Sequence, residues 1–377
     1  MFSDLHVGVE SDSKLRIDET KQCMKWIVKT FKKENVDWVI FCGDFFNSRY
    51  SINVNTLNAG IEMIQDLAYN FEKVILIEGN HDTYYKNTNS VNSVTFMKSL
   101  SKNDNIVVVD EKPFFIKIGE TTMGMYPWGY DVNSVKEIEG YETPRFGFGH
   151  FEFNGAELVG HVSVGNKYNL HDMFILGDTL FSGHYHGNKT YRDMQLDKFL
   201  YMIGSPLQLN WGDFGQEKMI ITLDLSTESF KEFKNEVNAR HEKVFYSKFI
   251  NKEYDRETLQ NLCTKNFVKF VIDAQYKFDL ILKCSEIIKK LKPHSLEFDY
   301  LISSTISEAN DFNDESGNIK SKTNKDYLIE YIESVFPEYK KVNADLDLDY
   351  LKDLANNYFD KALLPKEERE DHELEED

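Results

Sequence analysis

Residues 73–82, KVILIEGNHD, decide how this chain is read. The first five, Lys73–Ile77, form a short apolar run rich in β-branched side chains, the pattern of a buried strand. Glu78, Gly79, Asn80, His81 and Asp82 follow at once, so carboxylates, an amide and an imidazole stand at the strand's carboxyl end. In open α/β sheets, the loops at that end converge into a site.

The same arrangement recurs on either side. Residues 37–42 (DWVIFC) read as another short buried strand and lead into Gly43 and Asp44. Residues 146–148 lead into Gly149 and His150, and residues 179–181 into Gly183-His184-Tyr185-His186. Asp4 and His6 make an Asp-x-His directly after Met1-Phe2-Ser3. Taken singly, each cluster has an ordinary reading: Gly43 ends a strand, Asp44 caps a helix, Asn-His-Asp suits a turn. Five polar clusters in this order are not explained that way. His161, His171, His241, His294 and His372 fit no cluster and read as surface or core histidines.

Carboxylate and imidazole without thiolate suit manganese, iron, zinc or magnesium. A carboxylate such as Asp44 is able to bridge two ions. Asp4, His6 and His186 then complete one shell, and Asn80, His150 and His184 the other. Two ions about 3.5–4 Å apart activate water and hold the attacking and leaving oxygens of an in-line displacement at phosphorus. His81 is not needed as a ligand and sits beside one. Its imidazole suits charge stabilisation or protonation of the leaving oxygen, with Asp82 orienting the ring.

The first 225 residues alternate short apolar runs with amphipathic stretches. Helices are expected at Lys14–Lys33 and 54–69, and strands at 105–109, Phe114–Ile118, 122–126, 199–203 and 219–223. Early alternation giving way to consecutive strands predicts two sheets packed face to face with helices outside. A small α+β unit begins near Glu242, with strands at 243–249, Phe267–Ile272 and 296–302 and helices at Arg256–Cys263 and 278–291. Residues 303–324 read as a polar linker and 365–377 as an acidic, solvated tail. Between them, helices at 325–335 and 347–363 carry Tyr327, Leu328, Tyr331, Leu351, Leu354 and Tyr358 as apolar stripes. Two short helices cannot bury both faces alone, which points to docking on a partner helix.

The composition narrows the options. At 377 residues and 41% hydrophobic, the chain is long enough for two or three domains with a sizeable core. No stretch approaches the roughly eighteen apolar residues of a membrane span. Nothing at residues 1–10 resembles a secretory signal. The four cysteines are scattered, so neither a disulfide framework nor a zinc knuckle is expected and a reducing cytoplasm is the default, a host's if the chain is phage-encoded. The net charge of −19 argues against a large basic surface that grips nucleic acid by charge alone. A carboxylate cluster is far less acidic once loaded with cations.

At these motifs the sequence resembles the calcineurin-like metallophosphoesterase superfamily. The resemblance implies a four-layer α/β/β/α sandwich over residues 1–240, the ligand sharing above, and His81 as the catalytic histidine. Within the superfamily the chain looks most like SbcD-type repair nucleases, in particular the nuclease subunit of the T-even-like phage recombination endonuclease. This rests on residues 43–49 (GDFFNSR), 79–87 (GNHDTYYKN), 149–155 (GHFEFNG), Tyr126-Pro127-Trp128, and Ile203-Gly204-Ser205-Pro206 with Gly212-Asp213. By that likeness residues 241–302 correspond to a DNA-capping domain, and the helix pair at 325–364 to the module that grips a coiled-coil ABC-type ATPase. The implied activity is manganese-dependent double-strand exonuclease and single-strand endonuclease cleavage, with magnesium as the alternative cation, by a homodimer within a heterotetramer. Tyr84, Tyr85 and Lys86 are the expected DNA contacts. The other expectation is a non-nuclease member, a small-molecule phosphodiesterase or a phosphatase. Phosphoprotein phosphatases continue Gly-Asp-x-x-Asp-Arg-Gly, which residues 43–49 do not. Asn47 stands where cellular repair nucleases have histidine. Only three residues precede Asp4, where the family has a strand, so a start further upstream or a weakened sheet around Asp4 and His6 is expected.

Overall fold

The run Lys73–Ile77 is the middle strand of a parallel three-stranded sheet, between Trp38–Cys42 and Ile106–Val109. Both of its faces are covered, so it reads as continuous apolar sequence rather than alternation. Val39, Phe41, Val74 and Leu76 pack against the helices Lys14–Lys33 and Val54–Asn70, among Ile27, Phe31, Ile64 and Leu67. Ile40, Cys42, Ile75 and Ile77 face the other way, onto Met123, Met125, Phe148 and Phe181 of a second sheet.

In this computed structural model, residues 1–85, 88–101, 103–158, 161–276 and 278–301 are described, then 329, 332, 333, 336, 337, 340 and 347–363. The expected linker at 303–324, the acidic tail, Lys86, Tyr327, Leu328, Tyr331 and the Tyr358 side chain lie outside the described residues. Among the described residues, no helix is long and apolar enough to cross a membrane.

The second sheet has the strand order Lys189–Asp193, Lys198–Met202, Thr179–Ser182, Phe146–Gly149, Thr121–Tyr126, Phe114–Ile118. Its centre is parallel and its two edges antiparallel. A third core covers its outer face, where Leu180, Leu200 and Met202 meet Val132, Val135, Phe153, Met173 and Phe174. Three cores thus separate four layers. Among the described residues, the outermost holds only a 3-10 turn, Val132–Glu137, and a one-turn helix, Leu170–Met173, in place of long helices.

The first residues lie along Trp38–Cys42 and the loop after it. Phe2 N–H donates to the Ile40 carbonyl, Cys42 N–H to Phe2, Asp4 N–H to Gly43 and His6 N–H to Asp44, at 2.9–3.2 Å. These bonds fix Asp4 and His6 against the neighbouring loop.

Two compact units divide the chain, Met1–Val271 with Tyr276–Asp299, and Ile272–Gln275 with Tyr300–Asp377. In the first, the strands His241–Phe245, Phe267–Ile272 and Ser295–Tyr300 form a small sheet in that order, with helices Arg256–Cys263 and Phe278–Lys290. The expected strand at 243–249 is corrected. It ends at Phe245 and the chain turns into the helix Tyr246–Ile250, which buries Tyr246; a short apolar run does not discriminate between the two periods. His241 is a core histidine, its ring stacked on Phe267 at 5.0 Å and 4.8 Å from Trp211. Arg16 is buried here, its guanidinium 4.7 Å over Phe267 and donating to the carbonyls of Gln208 and Leu209. In the second unit, the helix Leu348–Leu363 starts at Asp347, whose carboxylate accepts the N–H of Tyr350. Leu351 is half-buried on it and Leu354 exposed.

Candidate functional site

The loops carrying the five motifs meet at the carboxyl ends of both sheets, and left-handed backbone sets their direction. Asp4, His6, Asp44 and His184 have φ of 53°, 46°, 61° and 92°. Each such residue costs on the order of 1–3 kcal/mol, and strain of this kind collects at working sites. Gly43, at φ 96°, lies so close to His150 that a Cβ would sit 2.3 Å from its Nδ1. A Cβ on Gly79 would sit 2.2 Å from Asp44 Oδ1. The motif glycines are therefore the gaps through which the ligand loops pack.

All seven expected ligands come together. Asp4, His6 and His186 offer donor atoms within 4.8 Å of one another, as do Asp4, Asp44 and His150. Asp44 stands between the two groups, with Oδ2 3.5 Å from His6 Nε2 and 3.3 Å from His150 Nε2. Asn80 Oδ1 lies 3.0 Å from His150 Nε2 and 2.9 Å from His184 Nδ1. His6 Nε2 and His186 Nε2 face each other at 3.2 Å. All but Asn80, His184 and His186 are buried.

The protons at this site decide what it is able to bind. The Cys42 carbonyl, 2.7 Å from His150 Nδ1, only accepts, so Nδ1 carries a hydrogen and Nε2 is the nitrogen that faces Asp44. Burial works against charging His150, yet Asp44 and that carbonyl lift the imidazole to about 9. Burial would raise Asp44, but His150, His6 and His81 hold it well below the usual carboxylate range. Burial pushes His6 and His184 each down to about 3, so both are neutral and ligand-competent at pH 7. Two carboxylates, four imidazoles and the Asn80 amide oxygen thus converge, a donor set that carries no thiolate. The donor set fits two divalent cations bridged by Asp44.

His81 is beside these groups, its ring 4.7 Å from that of His6. Its N–H donates to Asp44 Oδ1 at 2.8 Å, and its Nδ1 donates to the Asn47 carbonyl at 2.6 Å. The expectation that Asp82 orients this ring is corrected. The buried Asp82 carboxylate accepts the backbone N–H groups of Asp44, Phe45, Phe46 and Gly79 at 3.0–3.2 Å and the Ser93 hydroxyl at 3.3 Å. It clamps the Asp44 loop to the Gly79 loop, and Asn47 holds the histidine. The carbonyl of any residue would serve, so residue identity at position 47 carried no signal.

Other residues stand around these groups, and of them Lys218 had no sequence signal. Trp128 lies with its ring 4.9 Å from His184 and 5.7 Å from His150. Lys218 is buried, donating to the His186 carbonyl at 2.8 Å and to Asp213 Oδ1 at 2.8 Å. Glu78 is buried with one oxygen on the Thr83 hydroxyl and the other without a hydrogen-bond partner, and burial lifts its carboxyl to about 9. Tyr84 and Tyr85 are exposed.

Among solved structures, the chain is similar to a novel archaeal phosphodiesterase, at 16% identity over 57% of this chain and 92% of that one, TM-score 0.31. It is similar to phosphopantetheinyl hydrolase from Mycobacterium tuberculosis, at 15% over 54% and 88%, TM-score 0.31. It is also similar to the Pseudomonas putida nuclease MPE, at 13% over 58% and 82%, TM-score 0.28. The family model for Calcineurin-like phosphoesterase matches residues 1–188, the stretch that supplies every motif residue of the site. Through these residues the chain belongs to the calcineurin-like metallophosphoesterase superfamily, whose members are metal-dependent hydrolases of phosphoester bonds.

Proposed function

We propose that this hydrolase is a DNA nuclease, the phosphodiester-cleaving subunit of a recombination or repair complex with a coiled-coil ABC-type ATPase. One observation carries the hydrolytic part: the Asp44 carboxylate lies between two sets of nitrogen and oxygen donors, with His81 pinned at its edge. Asp4, His6 and His186 would hold one cation, and Asn80, His150 and His184 the other, with Asp44 shared. When bound, two such cations, manganese first and magnesium second, supply Lewis-acid activation of the phosphoryl group and of water. His81 contributes through Nε2, because Nδ1 is committed to Asn47. That leaves Nε2 facing the substrate, where the doubly protonated ring would stabilise charge on the phosphoryl oxygens or give its Nε2 proton to the leaving oxygen.

Support for DNA comes from the motif surroundings at 43–49, 79–87 and 149–155, and from an α+β unit and an expected helix pair for which a small-molecule hydrolase has no need. The net charge of −19 favours a second reading, a small-molecule phosphodiesterase or phosphatase. Manganese-dependent cleavage of end-labelled single- and double-stranded DNA, with His81→Ala alongside, tests the choice. Cleavage that His81→Ala abolishes is expected. Turnover of bis(p-nitrophenyl) phosphate without DNA cleavage, even with the ATPase present, would establish the second reading. Removing residues 325–377 is expected to abolish ATPase binding and to spare hydrolysis of the small ester.

A further inference from the structure

The two loops that hold His81 also carry three exposed tyrosines. Three residues beyond Asn47 is Tyr50, 73% exposed, and three beyond His81 is Tyr84, 41% exposed. Their rings meet edge to face at 6.0 Å, and Tyr85, 48% exposed, packs edge to face on Tyr84 at 4.8 Å. Successive strand residues ordinarily point to opposite faces. Here the hairpin register shifts between Thr83 and Tyr85, and Thr83 is buried while both tyrosines are exposed. Arg49, beside Tyr50, is part-exposed and forms no ion pair with any described residue. Three extended residues span at most about 11 Å, so the cluster is held close to His81 by both arms.

We infer that Tyr50, Tyr84 and Tyr85 form a stacking platform for an unpaired nucleobase flanking the scissile phosphate, with Arg49 on the adjoining backbone. The inference rests on the nuclease reading and adds the kind of end it prefers. Exposed rings next to an uncompensated cation are the chemistry that holds single strands, because every base has a face to stack. Bases inside a duplex stack on one another and leave no face free, so the platform selects frayed or single-stranded DNA. The acidic chain fits the same conclusion: at −19 it gains little from counterion release, and stacking supplies affinity that charge does not.

The test pairs each tyrosine with a base in a cycle, using the full chain with manganese and single-stranded oligonucleotides. Tyr50→Ala and Tyr84→Ala are each expected to raise KM about 10-fold. Wild type on a strand lacking the flanking base should show the same rise, and the variants on that strand no further rise. Tyr84→Trp should restore KM. In EDTA, a 2-aminopurine at the flanking position should be quenched by wild type and not by the double variant. Additive penalties from variant and missing base, or equal KM in wild type and double variant, would overturn the platform alone. Wild-type turnover of bis(p-nitrophenyl) phosphate with no cleavage of any oligonucleotide would overturn the nuclease reading and the platform with it.

Discussion

His81 Nδ1 lies 2.6 Å from the carbonyl oxygen of Asn47, so main chain, not a carboxylate, sets the tautomer of the histidine beside the metal ligands. The loop that follows Asp44 therefore both presents a ligand and aims His81. His81→Ala is expected to lower kcat by about 10²–10⁴-fold, the usual share of a positioned acid or base. The half-buried ring supports little packing, so the melting temperature should hold. A fall in kcat under 10-fold would remove His81 from the chemistry.

Asp82 is expected to behave as a clamp. Asp82→Ala leaves four backbone N–H groups without their acceptor. Each buried donor left unpaired costs about 1–3 kcal/mol. Calorimetry should show a clear loss of stability together with weakened metal binding. Unchanged melting with lost turnover would instead favour a direct catalytic part for Asp82.

Gly79→Ala places a methyl 2.3 Å from the Asp44 backbone nitrogen and 2.2 Å from its Oδ1. Backbone cannot yield as a flexible side chain does, so the Asp44 carboxylate must leave its place between His6 and His150. Manganese affinity, read by titration calorimetry, should fall more than 10-fold. Wild-type affinity in this variant would mean that Asp44 is not a shared ligand.

Metal removal has a stability signature, because the donors are assembled only in the folded chain. With manganese at 100 times its dissociation constant, the gain is about 2.7 kcal/mol. Thermal unfolding in EDTA and in excess manganese should differ accordingly, and Asp44→Asn should shrink the difference. Equal melting temperatures would speak against a metal centre here.

The pair Asp213–Lys218 supports His186 from behind and gives a pH dependence. Burial would raise the Asp213 carboxyl, but Lys218 at 2.8 Å holds it below the usual range. Burial also lowers the Lys218 ammonium despite Asp213, so the pair is costly to break rather than broadly stabilising. A folded-state value below the unfolded value means that Asp213 contributes stability above the ordinary carboxylate range, about 3.9, and loses it as pH falls through the lower folded value. Lys218→Met at pH 7 should cost about 3–5 kcal/mol. The stability gap between wild type and Asp213→Asn should narrow in acid below about pH 4. A gap independent of pH would show that Asp213 is not charged in the fold.

Much of this protein was legible in one dimension. Residues 74–77 and 38–42 are apolar throughout because both faces of their sheet are buried, and a local run of that kind marks a strand without knowledge of its partners. The candidate ligands stood out because a metal site needs fixed residue types, and all but Asp4 and His6 follow a strand end that is itself readable. Less visible were Lys189–Asp193 and Ser229–Lys234, edge or hairpin strands rich in charged residues, whose pairing is chosen by distant partners.

The sequence by itself determined the family and put forward the candidate ligands and His81, since these depend on side-chain chemistry and order along the chain. The tertiary structure alone decided that Asn47 rather than Asp82 orients His81, that Asp82 ties two loops, and that Lys218 reaches His186. Those relationships run through backbone atoms, which every residue possesses, and through contacts between segments far apart in the chain. Neither leaves a residue-specific mark for a sequence to show.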